Sequence, residues 1–591
     1  MQFPHPPCWP TFAIKKKAMK GTIIIFIAFL TMASTKLQAQ EDAPTDFATG
    51  LLVDEAAFKN QVEMTADFSN DGRRAGDMPR WFSLRPYTPY PKNQGSINSC
   101  VGWAMGYAAM TTQRAYERRI TNRKEITDNA YSAMFIYNQV KEGSCMSGAF
   151  VQKAAKLLTE TGDCKSADFD FPYDNCERQP QAMHVSQSQS HLIKDFVALF
   201  DKDTPAKTAV MRVKRSISEG KPVVVGMNIS ESLKRLSPMD SRWNPSGMSS
   251  DKMLGGHALC VVGYNDSLGV FEIMNSWGPA WGDQGYFTVS YKNFTERAFQ
   301  AVQLVLPELQ LTETELAAIE KRKQAAAEKQ HNAFKIKQQA EISLSNQIKT
   351  NPAAPEVQQA QTLIRQAETM QQQASAELLD ANLATAALAG DFILRIPLTD
   401  DYGTPLKANG EYLFEEIKPT WNGSFYQLEK KDWMEGDMFQ IIAKHIKKDS
   451  YAYLFSLDGN NKAEIHWPRN ERFQEHLNGK EAYGKGEGAL VAHSGAEIII
   501  PGNDRVLTRE NLLADHLVVV YSDRKIGDFQ SRVIRMRDEC RGEFTDRLQQ
   551  AYGDVLIPTS SVVYEKDVMR TRVEQLGKGS AVAVVVRVEN E

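Results

Sequence analysis

The sequence predicts a multidomain protein: an α+β, two-lobed body, an α-helical hairpin used as a spacer, and a mostly-β, sandwich-like domain after it. Three observations predict this order. The 591-residue chain is too long to fold around one hydrophobic core. Within residues 78–306 helical patterns come first and strand patterns second, the mark of segregated helices and sheet. Beyond Leu311 a stretch rich in Ala, Gln, Lys and Glu separates this body from residues 391–591, which alternate as strands do.

Taken in order, the N-terminal segment reads as an address. Lys15, Lys16, Lys17 and Lys20 precede an apolar run from Ile23 to Met32, and small and polar residues from Ala33 to Gln40 follow. This is a signal-peptide layout over residues 1–39, with Met19 an alternative start, and its apolar run is too short to span a bilayer. Export to the periplasm or beyond, in a bacterium, is the expectation, with no stable membrane span once the leader is removed. Residues 40–77 are polar and read as a short leader or arm. The body at 78–306 opens with a helix expected over Val101 to Arg119, N-capped by Ser99. Strands are expected over Pro222 to Ile229, Ala258 to Tyr264, Val270 to Met274 and Gly285 to Tyr291.

The spacer, 311–390, announces itself with Thr312 and Glu315 as a capping box and Leu311 with Leu316 as a hydrophobic staple. Pro352 and Pro355 break the first helix, and the second is expected to run to Gly390 as its C-cap. Val357, Ala360, Ile364, Ala367, Ala374, Leu378, Ala381 and Leu388 share one heptad seam. An antiparallel hairpin is favoured over a dimerising coiled coil. In 391–591, strands are expected at Phe392 to Ile396, Phe439 to Ala443, Tyr451 to Leu457, Ala463 to Trp467, Glu497 to Ile500, Leu517 to Tyr521 and Ala581 to Val588. Asp458-Gly459 signals a hairpin, and Arg509 to Asp515 and Arg537 to Tyr552 read as helices. This is a β-rich accessory domain of unknown function.

Composition excludes some partners. A net charge of −4 and a pI near 6.3 offer no electrostatic reason to expect nucleic acid. Losing the leader removes Cys8 and leaves six cysteines, of which Cys145, Cys164 and Cys176 cluster; one bridge among them is expected, its pairing open. The histidines lack metal-ligand spacing, so neither metal nor cofactor is expected.

The chemistry concentrates in four residues. Gln94 precedes Cys100 by six positions, and His257 and Asn275 lie far downstream, in Gly256-His257-Ala258 and Asn275-Ser276-Trp277-Gly278. A thiol at a helix N-terminus, facing an imidazole, is drawn toward the thiolate by the helix dipole and by the imidazolium. Asn275 offers an amide to orient the imidazole, and Gln94 an amide to hold a developing oxyanion beside the Cys100 backbone N–H. Each residue alone is an ordinary core or surface residue; their combination is an acyl-transfer set.

These residues resemble the papain family of cysteine peptidases. The matching stretches are Lys92-Asn93-Gln94-Gly95 with Cys100, the strand from Gly256 to Val262-Gly263-Tyr264, and Asn275-Ser276-Trp277-Gly278 with Trp281-Gly282 and Gly285-Tyr286. The resemblance covers about Pro79 to Leu306. It implies a two-lobed fold whose cleft takes Cys100 from one lobe and His257 from the other. It also implies that Trp277 shields the His257–Asn275 hydrogen bond and that Gly148 lines the substrate groove. Two positions depart from the family pattern: Ile97 stands where a cysteine is usual and Val101 where a tryptophan follows the nucleophile, with Trp103 two residues on. The long inhibitory propeptide of relatives is missing, so any latency must come from the short arm or the C-terminal modules. The expected function is an exported cysteine-type endopeptidase acting on protein or peptide substrates. The alternatives are an acyl transferase or narrow-specificity processing enzyme, and a catalytically silent envelope scaffold. The C-terminal domain is expected to recruit the substrate or an envelope or surface protein.

Overall fold

The computed structural model describes residues 47–589, apart from 66–77, 170–175, 246–249, 352–354, 409, 445, 469–487, 492, 494–496, 503–504 and 511–512. The leader, residues 1–39, lies outside the described residues. Thr45 to Glu591 form one compact unit.

The body begins with a continuous helical segment, Cys100–Gly102, Trp103–Met110 and Thr111–Glu117, whose middle eight residues are π-helical. Ser99 occupies its N-cap position, but its hydroxyl makes no capping bond and is buried. Every residue from Cys100 to Gln113 is buried, so this is the central helix of its lobe and not a surface helix with one apolar stripe. Helices Ala133–Val140 and Val151–Glu160 pack around it. The second lobe is an antiparallel sheet in which Asp195–Phe200, Ala298–Val305, Val223–Ser230, Met253–Asn265, Val270–Met274 and Tyr286–Ser290 are neighbours in that order. Pairing of Met227 with His257 and of Cys260 with Met274 fixes the register, and a one-residue slip would turn His257 to the other face. The strand expected over Ala258 to Tyr264 starts earlier, at Met253, because Val223–Ser230 pairs with it along its whole length.

Two long helices follow, Glu313–Thr350 and Pro355–Thr385. Thr312 and Glu315 form the reciprocal capping box. The buried residues recur every seven positions: Ile319, Ala326, Ala333 and Ala340 on one helix, Ala360, Ala367, Ala374 and Ala381 on the other. Alanine at all of these positions but Ile319 lets the two backbones approach closely. Gly390 does not cap the second helix. It lies in the strand Leu388–Pro397, where a Cβ would fall 2.2 Å from the Tyr521 ring, so close packing against that ring requires glycine there.

The C-terminal region is two sheets packed face to face. One contains Ile498–Ile500, Met438–Lys444, Leu388–Pro397 and Met569–Val573; the other contains Tyr426–Leu428, Ala581–Val588, Asp515–Ser522, Ser450–Leu457 and Ala463–Trp467. Period-two alternation divides the second sheet's residues between two cores. Ala452, Leu454, Val519, Val582 and Val584 face the first sheet. Tyr451, Tyr453, Phe455, Val518 and Val520 face the opposite way, toward helices Phe529–Asp538 and Phe544–Tyr552. The helix expected over Arg537 to Tyr552 is instead two helices, the first ending at Asp538 and the second starting at Phe544, with Gly542 at a φ of +100° in the connection. None of the described residues from Arg509 to Asp515 is helical: Arg509 pairs by its backbone with Asp437, and Asp515 already belongs to a strand.

Candidate active site

Cys100 starts the central helix of the first lobe, and His257 lies in the long strand of the second. The two meet across the interface: Cys100 Sγ accepts from the backbone N–H of Ala258 at 3.4 Å, one residue past His257. Asn275, just beyond the strand Val270–Met274, accepts at Oδ1 from His257 Nε2 at 2.9 Å and from the Ser276 backbone N–H at 2.8 Å. With Nε2–H committed to Asn275, Nδ1 is the ring nitrogen left to act as a base, and it has no hydrogen-bond partner. Trp277 stacks on the imidazole, ring centroids 5.0 Å apart and planes 22° from parallel.

Gln94 arrives on a third segment. Residues 92–94 pair with 276–278 through Gln94 N to Ser276 O (2.8 Å) and Gly278 N to Lys92 O (3.2 Å), an antiparallel bridge centred on Asn93 and Trp277. Ser276 Oγ donates to Gln94 Oε1 at 2.6 Å, which fixes the amide so that Nε2 points the other way, toward Ile97 O and Thr49 O. Ser276 was not singled out from the sequence, although it sits inside the quoted Asn275-Ser276-Trp277 run. Gly148 lies in a loop held by the Cys145–Cys176 disulfide, the pairing that the cysteine spacing left open. Cys164, buried, stays free.

The arm runs through this site. Trp277 Nε1 donates to Ala48 O at 3.0 Å, and Phe47 packs on the same indole. Gln94 Nε2 donates to Thr49 O at 3.3 Å. Gly50 O accepts from Ala149 N and Leu52 N donates to Ala149 O, a parallel pairing of Leu51 with Ala149, while Leu51 N donates to Gly256 O. The fit is close at glycines on both partners. Gly50, at φ +114°, would place a Cβ 2.3 Å from the Asn98 backbone oxygen. Gly148 and Gly226 leave the room that the Gly50 carbonyl and the Leu51 side chain fill. The polar composition of 40–77 predicts a short leader or arm and does not indicate where it docks.

Cys100 and His257 are both fully buried. The electrostatics follow. Burial pushes the Cys100 thiol up to about 12, against smaller stabilisation of the thiolate by the backbone N–H groups of Ala258, Val101 and Cys100. Burial pushes His257 down to about 4, only partly offset by its bond to Asn275. Burial thus opposes the ionised sulfur that a helix start and a neighbouring imidazolium favour. Among the described residues the only grouping with metal-ligand spacing is Cys145, Cys176 and Glu177, whose sulfurs are consumed by the disulfide.

Residues 82–303 match the family model described as papain family cysteine protease. A mimivirus protein described as an uncharacterized peptidase C1-like protein is 27% identical over 219 residues, 36% of this chain and 69% of that protein. Cathepsin F of Drosophila melanogaster is 26% identical over 225 residues, 36% of this chain but only 33% of its own length. Among solved structures, xylellain, a cysteine protease from Xylella fastidiosa, aligns over 45% of this chain and 99% of its own, at 21% identity and a TM-score of 0.37.

Proposed function

On a chain whose residues 82–303 are a papain-family, cysteine-type peptidase domain, we propose that Cys100, His257 and Asn275 form the catalytic triad, that Gln94 holds the oxyanion, and that the arm keeps the enzyme latent. When the cleft is open and wet, the desolvation that keeps the pair neutral is lifted, and a proton passes from Cys100 to His257 Nδ1. The thiolate attacks a peptide carbonyl. The developing oxyanion takes hydrogen bonds from Gln94 Nε2 and the Cys100 backbone N–H, a contribution worth roughly 10²–10³ in rate per donor. Protonated His257 then gives its proton to the leaving amine, and water attacks the acyl-enzyme through the same base. Asn275 acts by orientation and Trp277 by keeping water from the His257–Asn275 bond.

One observation carries the reading: residues 47–52 contact Gln94, Ala149, Gly256, the residue before His257, and Trp277, which stacks on the His257 ring. A groove that binds one extended segment through main-chain hydrogen bonds is suited to bind others. The Leu51 side chain, against Gly226 and Phe299, supports an apolar preference at that point of the groove. Export, read from the lysine-rich and apolar leader, completes the proposal and is tested by N-terminal sequencing of the mature protein.

The experiment is alkylation by a thiol-directed peptidyl epoxide, followed by intact mass. Gly50→Val, which cannot seat the arm, is expected to take up one equivalent rapidly, and Gly50→Val with Cys100→Ala none. A folded Gly50→Val protein that stays unlabelled refutes the triad.

A further inference from the structure

The arm does not end at the cleft. After Asp54 caps the short helix Glu55–Gln61, whose Phe58 is buried in the peptidase core, the chain reaches Glu63, Met64 and Thr65. There it becomes a strand between two bodies. On one side Ala198 N donates to Glu63 O at 2.9 Å and Thr65 N to Ala198 O at 2.8 Å, adding Met64 to the outer strand of the peptidase sheet. On the other side Gly488 N, from the C-terminal domain, donates to Met64 O at 3.0 Å. Lys525 Nζ, also from that domain, pairs with Glu63 at 2.7 Å. Gly488 itself is tied into the sandwich, because its neighbour Ala489 accepts from Ala452 N in the strand Ser450–Leu457.

The C-terminal domain is held firmly enough to serve as a jaw. Val197 and Val305 of the peptidase sheet share one buried core with Tyr451, Tyr453 and Phe455. Tyr451 donates to Asp195 at 2.7 Å, Lys194 pairs with Asp523 at 2.7 Å, and the buried Lys221 pairs with Asp449 at 2.7 Å. Thus the strand that carries Ala198 is gripped by the same sandwich that grips Met64.

We infer that the C-terminal β-domain is the second jaw of a clamp on the arm, and that its seating on Glu63 and Met64 sets how often the plug at 47–53 leaves the cleft. The inference rests on the arm-covered cleft proposed above and extends it. A tethered plug rebinds at an effective concentration set by its anchor. Anchoring at 63–65 shortens the tether to the ten residues between Val53 and Met64, most of them helical. Loosening the anchor lowers that concentration and exposes Cys100 more often. The coupling is reciprocal: whatever draws the C-terminal domain from Met64 opens the cleft, and occupation of the cleft by another segment loosens the domain.

The test uses the full chain and the rate of epoxide alkylation at Cys100. Gly488→Pro removes the donor to Met64 without touching the peptidase body, and is expected to label about tenfold faster than the wild type. Lys525→Glu, repelling Glu63, is expected to label a few-fold faster, and adding Glu63→Lys to it should return the wild-type rate; a merely destabilised domain would show no such return. Wild-type rates in Gly488→Pro and Lys525→Glu, alongside rapid labelling of Gly50→Val, overturn the clamp and leave the peptidase reading standing. No labelling even of Gly50→Val overturns both.

Discussion

The arm at 47–65 and the helical hairpin at 313–385 both connect to the globular bodies, yet they are built in opposite ways. The hairpin is held by its own sequence: alanines every seven residues, a capping box, and cross-helix pairs such as Arg322 with Asp380 and Lys329 with Glu377. The arm is short, and its partners are Gln94, Ala149, Gly256, Trp277 and Gly488, tens to hundreds of positions away. A segment stabilised locally can be read locally. A segment stabilised by what it docks against cannot, and the arm is such a segment.

The largest expected effect is at the arm. Replacing Leu51, 5% exposed, by Asp buries a carboxylate against Gly226 and Phe299 and should expel the plug. Alkylation of Cys100 should rise by roughly 10² for a seat worth a few kcal/mol, measured against wild type under identical reagent concentration. An unchanged rate would mean that the arm is not what limits access.

The next effect is pH-dependent. His257 is held near 4 when covered and returns to an ordinary 6.5 when unfolded, so the unfolded chain binds the extra proton between those values. Its contribution to stability is complete above pH 6.5 and is lost as pH falls toward 4, on the order of 3 kcal/mol. His257→Gln should flatten this part of the stability curve, measured as Tm against pH for both proteins. Cys100 has the opposite sign: its covered form keeps the proton up to about 12 against an ordinary 9.0, so its contribution is lost as pH rises between those values.

The hairpin should respond on a smaller scale and without touching the thiol. Ala367→Leu overfills a seam position with no exposed surface and should cost about 1–3 kcal/mol locally, seen as faster hydrogen exchange across 313–385. Alkylation at Cys100 should stay at the wild-type rate. Smallest of all, Arg322→Ala breaks a pair whose side chains are 57% and 77% exposed, and should shift stability by less than about 1 kcal/mol.

The same contrast explains what could be read in advance. The strands at Val270–Met274, Ala463–Trp467 and Ala581–Val588 were expected within a residue, because period-two patterning reports a sheet face directly. Gly390 was misassigned because a glycine ending a helix and a glycine admitting the Tyr521 ring are indistinguishable in one dimension. Arg537 to Tyr552 read as one helix because Gly542 interrupts it without breaking the apolar pattern. At the site, Gln94, Cys100, His257 and Asn275 were legible as residue types in a familiar order, whereas Ser276 as the partner of Gln94 required seeing strand 276–278 beside 92–94.

By itself, then, the amino-acid order determined which chemical groups are present, where most helices and strands run, and to which family the groups at 82–303 are similar. Those properties depend on side-chain identity and on repeats of two, 3.6 or seven residues, all of which are local. Only the tertiary structure decided that Cys100 pairs with Ala258 N, that Cys145 bonds to Cys176, and that the arm fills the groove with its far end between two sheets. It also decided that burial opposes ionisation of the thiol. A charge is set by the water that neighbouring atoms exclude, and the group that donates to the sulfur here, the Ala258 backbone N–H, comes from a strand far along the chain.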